Sequence, residues 1–92
     1  MTNSIHLIIS GEVQGVYYRD WTVEVAKKYG VNGWVRNLSD GTVEAVICGE
    51  EKVLAKMIKD CWTGSEAADV KDVMIEAFNG EVEDGFVRLE TK

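Results

Sequence analysis

The feature that most constrains this chain is a strand rhythm that gives way to a helical one, twice, within 92 residues. Ile5-His6-Leu7-Ile8-Ile9 is a β-branched, apolar run ending near Gly11, and it reads as a largely buried strand. From Asp20 to Tyr29, the residues Trp21, Val25, Ala26 and Tyr29 recur at helical spacing, and Gly30 supplies a stop. Trp34-Val35-Arg36-Asn37 is short and extended. Ser39-Asp40-Gly41 then signals a hairpin turn, and Thr42 to Cys48 reads as the returning strand, stopped at Gly49. Val53, Leu54, Met57, Ile58, Cys61 and Trp62 mark a second amphipathic helix, with Leu54, Ile58 and Cys61 on one stripe. Glu50 and Glu51 at its start suit the helix dipole.

After this helix, Val70 to Phe78 is strand-like, Asn79-Gly80 and Asp84-Gly85 signal turns, and Phe86-Val87-Arg88-Leu89 is a last short strand. The order is β-α-β-β-α-β with one extra strand. Two βαβ units joined by a hairpin predict an α+β, ferredoxin-like sandwich: an antiparallel sheet of four to five strands with both helices on one face. No proline and no low-complexity linker divides the chain, so residues 1–92 read as a single domain.

The formal net charge of -6 argues against a nucleic-acid partner, which calls for a basic stripe. An anionic substrate would need a local positive site, because the global field repels it. Cys48 and Cys61 read as reduced, largely buried thiols. Met1-Thr2-Asn3-Ser4 has no basic leader, and Ile5 to Ile9 is too short for a signal or a membrane span, so the expectation is a cytoplasmic protein with no membrane partner. His6, the one histidine, reads as structural, and with two distant cysteines it makes no zinc site. Cys48 and Cys61 are followed six residues later by Leu54 and Ala67, where a thiol phosphatase needs Arg. Neither G-x-x-x-x-G-K-[ST] nor G-x-G-x-x-G occurs, which removes the usual nucleotide loops. The acidic stretch from Asp69 to Asp84 reads as solvated surface, and Trp21, Trp34 and Trp62 as core or near-core aromatics. An RNA-recognition module shares the topology, but Thr42 to Cys48 carries no aromatic residue to stack a base.

The chemistry-bearing stretch is Gly11-Glu12-Val13-Gln14-Gly15-Val16-Tyr17-Tyr18-Arg19, which links the first strand to the first helix. Unpaired N–H groups at a helix start attract anions. Arg19 adds a permanently charged fork for phosphate oxygens. Two readings are open on spacing alone. The loop is an anion hole, or its glycines merely turn the chain while Arg19 pairs with a surface acid.

Those residues resemble the first signature of the acylphosphatases, G-x-V-Q-G-V-x-[FY]-R, at every specified position. Gly33-Trp34-Val35-Arg36-Asn37, with Gly41, Val43 and Gly49, resembles the second, G-[FYW]-[AVC]-[KRQAM]-N-x3-G-x-V-x5-G. The resemblance implies a metal-free, cofactor-free hydrolase that splits acyl phosphates into carboxylate and inorganic phosphate. It implies that Arg19 and the backbone amides of Val13, Gln14, Gly15, Val16, Tyr17 and Tyr18 bind the substrate phosphate, and that Asn37 holds the attacking water. Inorganic phosphate is then product and inhibitor, and the small, highly charged chain reads as a monomer. A non-catalytic anion-binding module built on the same loop is the rival reading. Three departures stand out. Tyr17 fills a position where bacterial relatives often have glycine. Gly64-Ser65-Glu66-Ala67-Ala68 replaces a Gly-Pro stretch, a change expected to touch loop stiffness only. The last strand has Phe86 and Arg88 where the family has Phe and Ile, which suggests a register shifted by one residue or a bulge.

Overall fold

The computed structural model describes residues 2–92. Strand β1 (Thr2–Glu12) leads into helix α1 (Tyr18–Tyr29), the hairpin β2 (Asn32–Asn37) and β3 (Val43–Glu50), helix α2 (Glu51–Thr63), β4 (Asp69–Ala77) and β5 (Phe86–Arg88). One sheet has the order β4-β1-β3-β2-β5. The crossovers through α1 and α2 put both helices against the same face. There Leu7, Ile9, Val35, Val43, Ala45, Ile47, Val73 and Phe86 of the strands pack with Tyr18, Ala26, Leu54, Met57 and Cys61 of the helices. This is the expected ferredoxin-like sandwich. In α2 the stripe that reaches the core is Leu54, Met57 and Cys61, with Ile58 only half-buried beside it.

The four long strands pair antiparallel, as expected. The fifth is different. β5 joins the β2 edge in parallel, with Gly33, Trp34 and Val35 opposite Phe86, Val87 and Arg88. That register is continuous, so of the two expectations the bulge is not present. Phe86, opposite Gly33, turns inward and joins the core, and Val87 turns out to solvent. Arg88 shares the inward face with Phe86, but at the strand end it reaches sideways to Asp20 on α1 instead of entering the core. A bulge does occur elsewhere, between Ser10 and Gly11 where β1 meets β4. Gly11 has φ 120 there, and a Cβ would collide with the Asp69 carbonyl oxygen.

Trp62 is not a core residue. Its ring is 45 % exposed at the end of α2, because the inward position of that turn belongs to Cys61. Both cysteines are free thiols; Cys61 is buried and Cys48 only half-buried. Burial pushes the Cys61 thiol up to about 12. On the open face of the sheet, His6 donates to Glu44 at 2.7 Å and meets Glu76 at 3.0 Å, while Arg36 donates to Glu44 at 2.6 Å. His6 is thus structural. No helix among the described residues is long and apolar enough to cross a membrane.

Candidate active site

The topology brings the two sequence motifs to one sheet edge. β1 and β2 run in the same direction on either side of β3, and Ile9 and Asn37 both face Val43 across it. Two strand spacings therefore separate the loop that leaves β1 from the end of β2, roughly 10 Å.

The loop between β1 and α1 is built to leave backbone amides free. Gly15 has φ 73, a left-handed conformation that side-chain-bearing residues rarely adopt. Tyr17 is also left-handed, at φ 61, and opens α1 as its N-cap without any side-chain hydrogen bond to the first turn. The N–H groups at that helix start have no side-chain cap, and the helix dipole adds positive potential to them.

Two long-range side-chain hydrogen-bonding groups hold the loop in place, one on each flank: the loop's own Gln14 and the distant Ser65. On the hairpin flank, Gln14 donates from its side-chain amide to the carbonyl oxygens of Leu38 and Thr42, both at 2.8 Å. On the other flank, buried Ser65 donates to the Val16 carbonyl oxygen at 2.8 Å. The Ser65 contact goes beyond the loop stiffness expected of its segment. Tyr18 anchors the helix start from below. It is 1 % exposed and donates from its hydroxyl to the Cys61 carbonyl oxygen at 2.8 Å. Burial raises its phenol pKa well above the ordinary value, which keeps it a neutral donor. Of Tyr18, then, only the backbone can face a ligand.

A cavity of about 310 Å³ opens at this edge, lined by Val13, Gly15, Tyr17, Arg19, Asn37 and Arg88, among others. It gathers Arg19 and Asn37, the two side chains that the motifs single out. Among the described residues Arg19 has no carboxylate within ion-pair distance, so the reading in which it merely pairs with a surface acid does not hold. Asn37 is only 8 % exposed, and its Oδ1 is the one buried side-chain oxygen or nitrogen among the described residues without a hydrogen-bond partner. A buried acceptor with no partner costs about 1–3 kcal/mol. Such an atom, on a residue that lines the same cavity as a guanidinium, lacks a donor that the reaction could supply, such as water.

The sequence reading missed Arg88 and Asp20. Arg88 lines the cavity from β5 and meets Asp20 of α1 at 2.8 Å. The available signal was the two-residue spacing from Phe86, which puts Arg88 on the core-facing side of a strand end. Val16 and Gln14 do not line this cavity; Gln14 points its side chain at the hairpin instead.

Comparison with known proteins shows which family the chain resembles. The family model described as Acylphosphatase matches residues 5–87. An acylphosphatase of Haloarcula marismortui is 53 % identical over 81 residues, covering 88 % of this chain and 89 % of its relative. Among solved structures, an acylphosphatase from Coxiella burnetii superposes with TM-score 0.91 at 35 % identity, covering 96 % of this chain and 93 % of the other. The acylphosphatase from Bacillus subtilis gives TM-score 0.90 at 30 % identity, with 97 % and 99 % covered.

Proposed function

The chain belongs to the acylphosphatase family and is a hydrolase of acyl phosphates, and on that premise we propose how its residues divide the work. Arg19 and the amides of Val13 to Tyr18 grip the phosphate. Asn37 Oδ1 accepts a hydrogen bond from water and aims its oxygen at phosphorus. The water oxygen forms a bond to phosphorus while the bond from phosphorus to the acyl oxygen breaks. The electron pair of the broken bond leaves on the carboxylate, and a phosphate oxygen takes the water's proton. The products are carboxylate and inorganic phosphate.

Little machinery is needed. Phosphoryl transfer depends mainly on positioning and on stabilising charge. A carboxylate is a weak base, with a conjugate acid near pH ~4, so its departure needs no general acid. The observation that carries this reading is that Asn37, whose buried Oδ1 has no partner, lines the same cavity as the unpaired Arg19. We further propose a cytoplasmic monomer of one domain over residues 1–92, with inorganic phosphate as product and competitive inhibitor.

The test is release of phosphate from benzoyl phosphate by purified protein in EDTA. Turnover above background supports the scheme. Phosphate binding without turnover would leave only an anion-binding module.

A further inference from the structure

A second hollow of about 620 Å³ lies against the first and shares Tyr17 and Asp20 with it. Its floor and walls include Val16, Trp21 and Ala67, with the exposed carboxylates Glu24 and Glu66 on the rim. We propose that this groove holds the acyl part of the substrate, and that the Tyr17 ring makes the enzyme favour acyl phosphates with an uncharged, aromatic-sized acyl group. The inference rests on the mechanism proposed above.

Three observations carry it. The first is directional. The attacking and leaving oxygens must lie roughly in line through phosphorus. Asn37 stands on the hairpin flank, which Gln14 fastens to the loop. The leaving acyl group must then depart over the opposite flank, the one fastened by Ser65 to Val16. Val16 and Ser65 both line the second hollow.

The second observation is Tyr17 itself. Among the described residues it is the only one other than glycine with positive φ, an uncommon state for a bulky side chain. It is also 81 % exposed, so packing does not account for the ring being there. The conformation stands the ring between the two hollows.

The third is charge. Glu24 and Glu66 at the rim would repel a second negative group on the acyl part, while Trp21 and Val16 offer it apolar surface. Trp21 is held in place against Tyr18, with ring centroids 5.3 Å apart.

The experiment compares kcat/KM for benzoyl phosphate with that for acetyl phosphate. The readout is the ratio of the two, which cancels any effect that a variant has on the phosphate loop they share. Tyr17→Gly should lower the benzoyl-to-acetyl ratio roughly ten-fold, the scale of one lost aromatic contact. Ala67→Trp, which fills the exposed end of the groove, should lower the same ratio. A ratio unchanged in both variants overturns the inference, even with both substrates still hydrolysed. A wild-type protein that turns over neither substrate overturns the mechanism as well, so the two failures are distinct.

Discussion

The side-chain amide of Gln14 reaches 24 residues along the chain to the carbonyl oxygen of Leu38, at 2.8 Å. Leu38 directly follows Asn37, so this hydrogen bond ties the loop that ends in Arg19 to the residue assigned to water. The same amide also takes the Thr42 carbonyl oxygen, which spans the hairpin turn. In the proposed mechanism the Gln14 side chain therefore acts on the distance between phosphate and water without itself touching either.

Gln14→Leu should separate those two functions. Misplacing reacting groups by about 1 Å can lower a rate roughly 10²-fold. We expect kcat to fall by roughly 10- to 100-fold, while inhibition by inorganic phosphate changes only a few-fold. Steady-state kinetics with phosphate as competitor measure both quantities. An unchanged kcat would show that the tie to the hairpin is not needed.

Arg19→Gln and Asn37→Ala should each lower kcat/KM by at least roughly 10²–10³-fold, as the loss of a preorganised group does. They should differ in binding. Arg19→Gln removes the charged fork and should weaken phosphate inhibition. Asn37→Ala removes the proposed water holder and should largely spare it. Equal loss of phosphate binding in both would contradict the division of roles.

Acid should weaken the fold partly through Glu44. Burial opposes its ionisation, but hydrogen bonds from His6 and Arg36 outweigh that, and its carboxyl lies below the usual 4.5. The folded chain thus holds this proton less tightly than the unfolded one. Its stabilisation is present above about pH 4.5 and is lost as pH falls through the lower folded value. Glu44→Gln should destabilise the protein at pH 7 by about 1–2 kcal/mol. Thermal unfolding should show the gap in Tm narrowing towards pH 3. A gap independent of pH would assign the effect to packing.

What could be read from the sequence was whatever local rhythm encodes. The apolar run before Gly11 and the helical spacing after Asp20 placed the loop, and the turn at Ser39-Asp40-Gly41 put Asn37 at a strand end, but only the resemblance to the second signature singled Asn37 out as a site residue. Long-range pairings were harder. Ser65 meets Val16 across 49 residues, and nothing near Ser65 names that partner. β5 pairs in parallel because the β2 edge is open to it, a fact of the assembled sheet that three residues cannot announce. Trp62 shows the limit from the other side, since helical spacing allowed it inward and Cys61 took that place.

The ion pair between Asp20 and Arg88 yields the last prediction. The chain has a formal charge of -6, so its anionic substrate must be drawn by local cations. Arg88 lines the cavity, yet Asp20 at 2.8 Å offsets its charge. Both side chains are about half exposed, so water and salt screen the pair and its effect is modest. Asp20→Asn removes the opposing carboxylate and leaves the guanidinium in place. Phosphate inhibition should then tighten by roughly two- to five-fold, the range of a screened surface charge. Arg88→Gln should loosen it by a similar factor. Both changes should shrink as salt rises, because the Debye length falls to about 3 Å at 1 M. Weaker inhibition in Asp20→Asn would mean that the carboxylate aims the guanidinium more than it neutralises it.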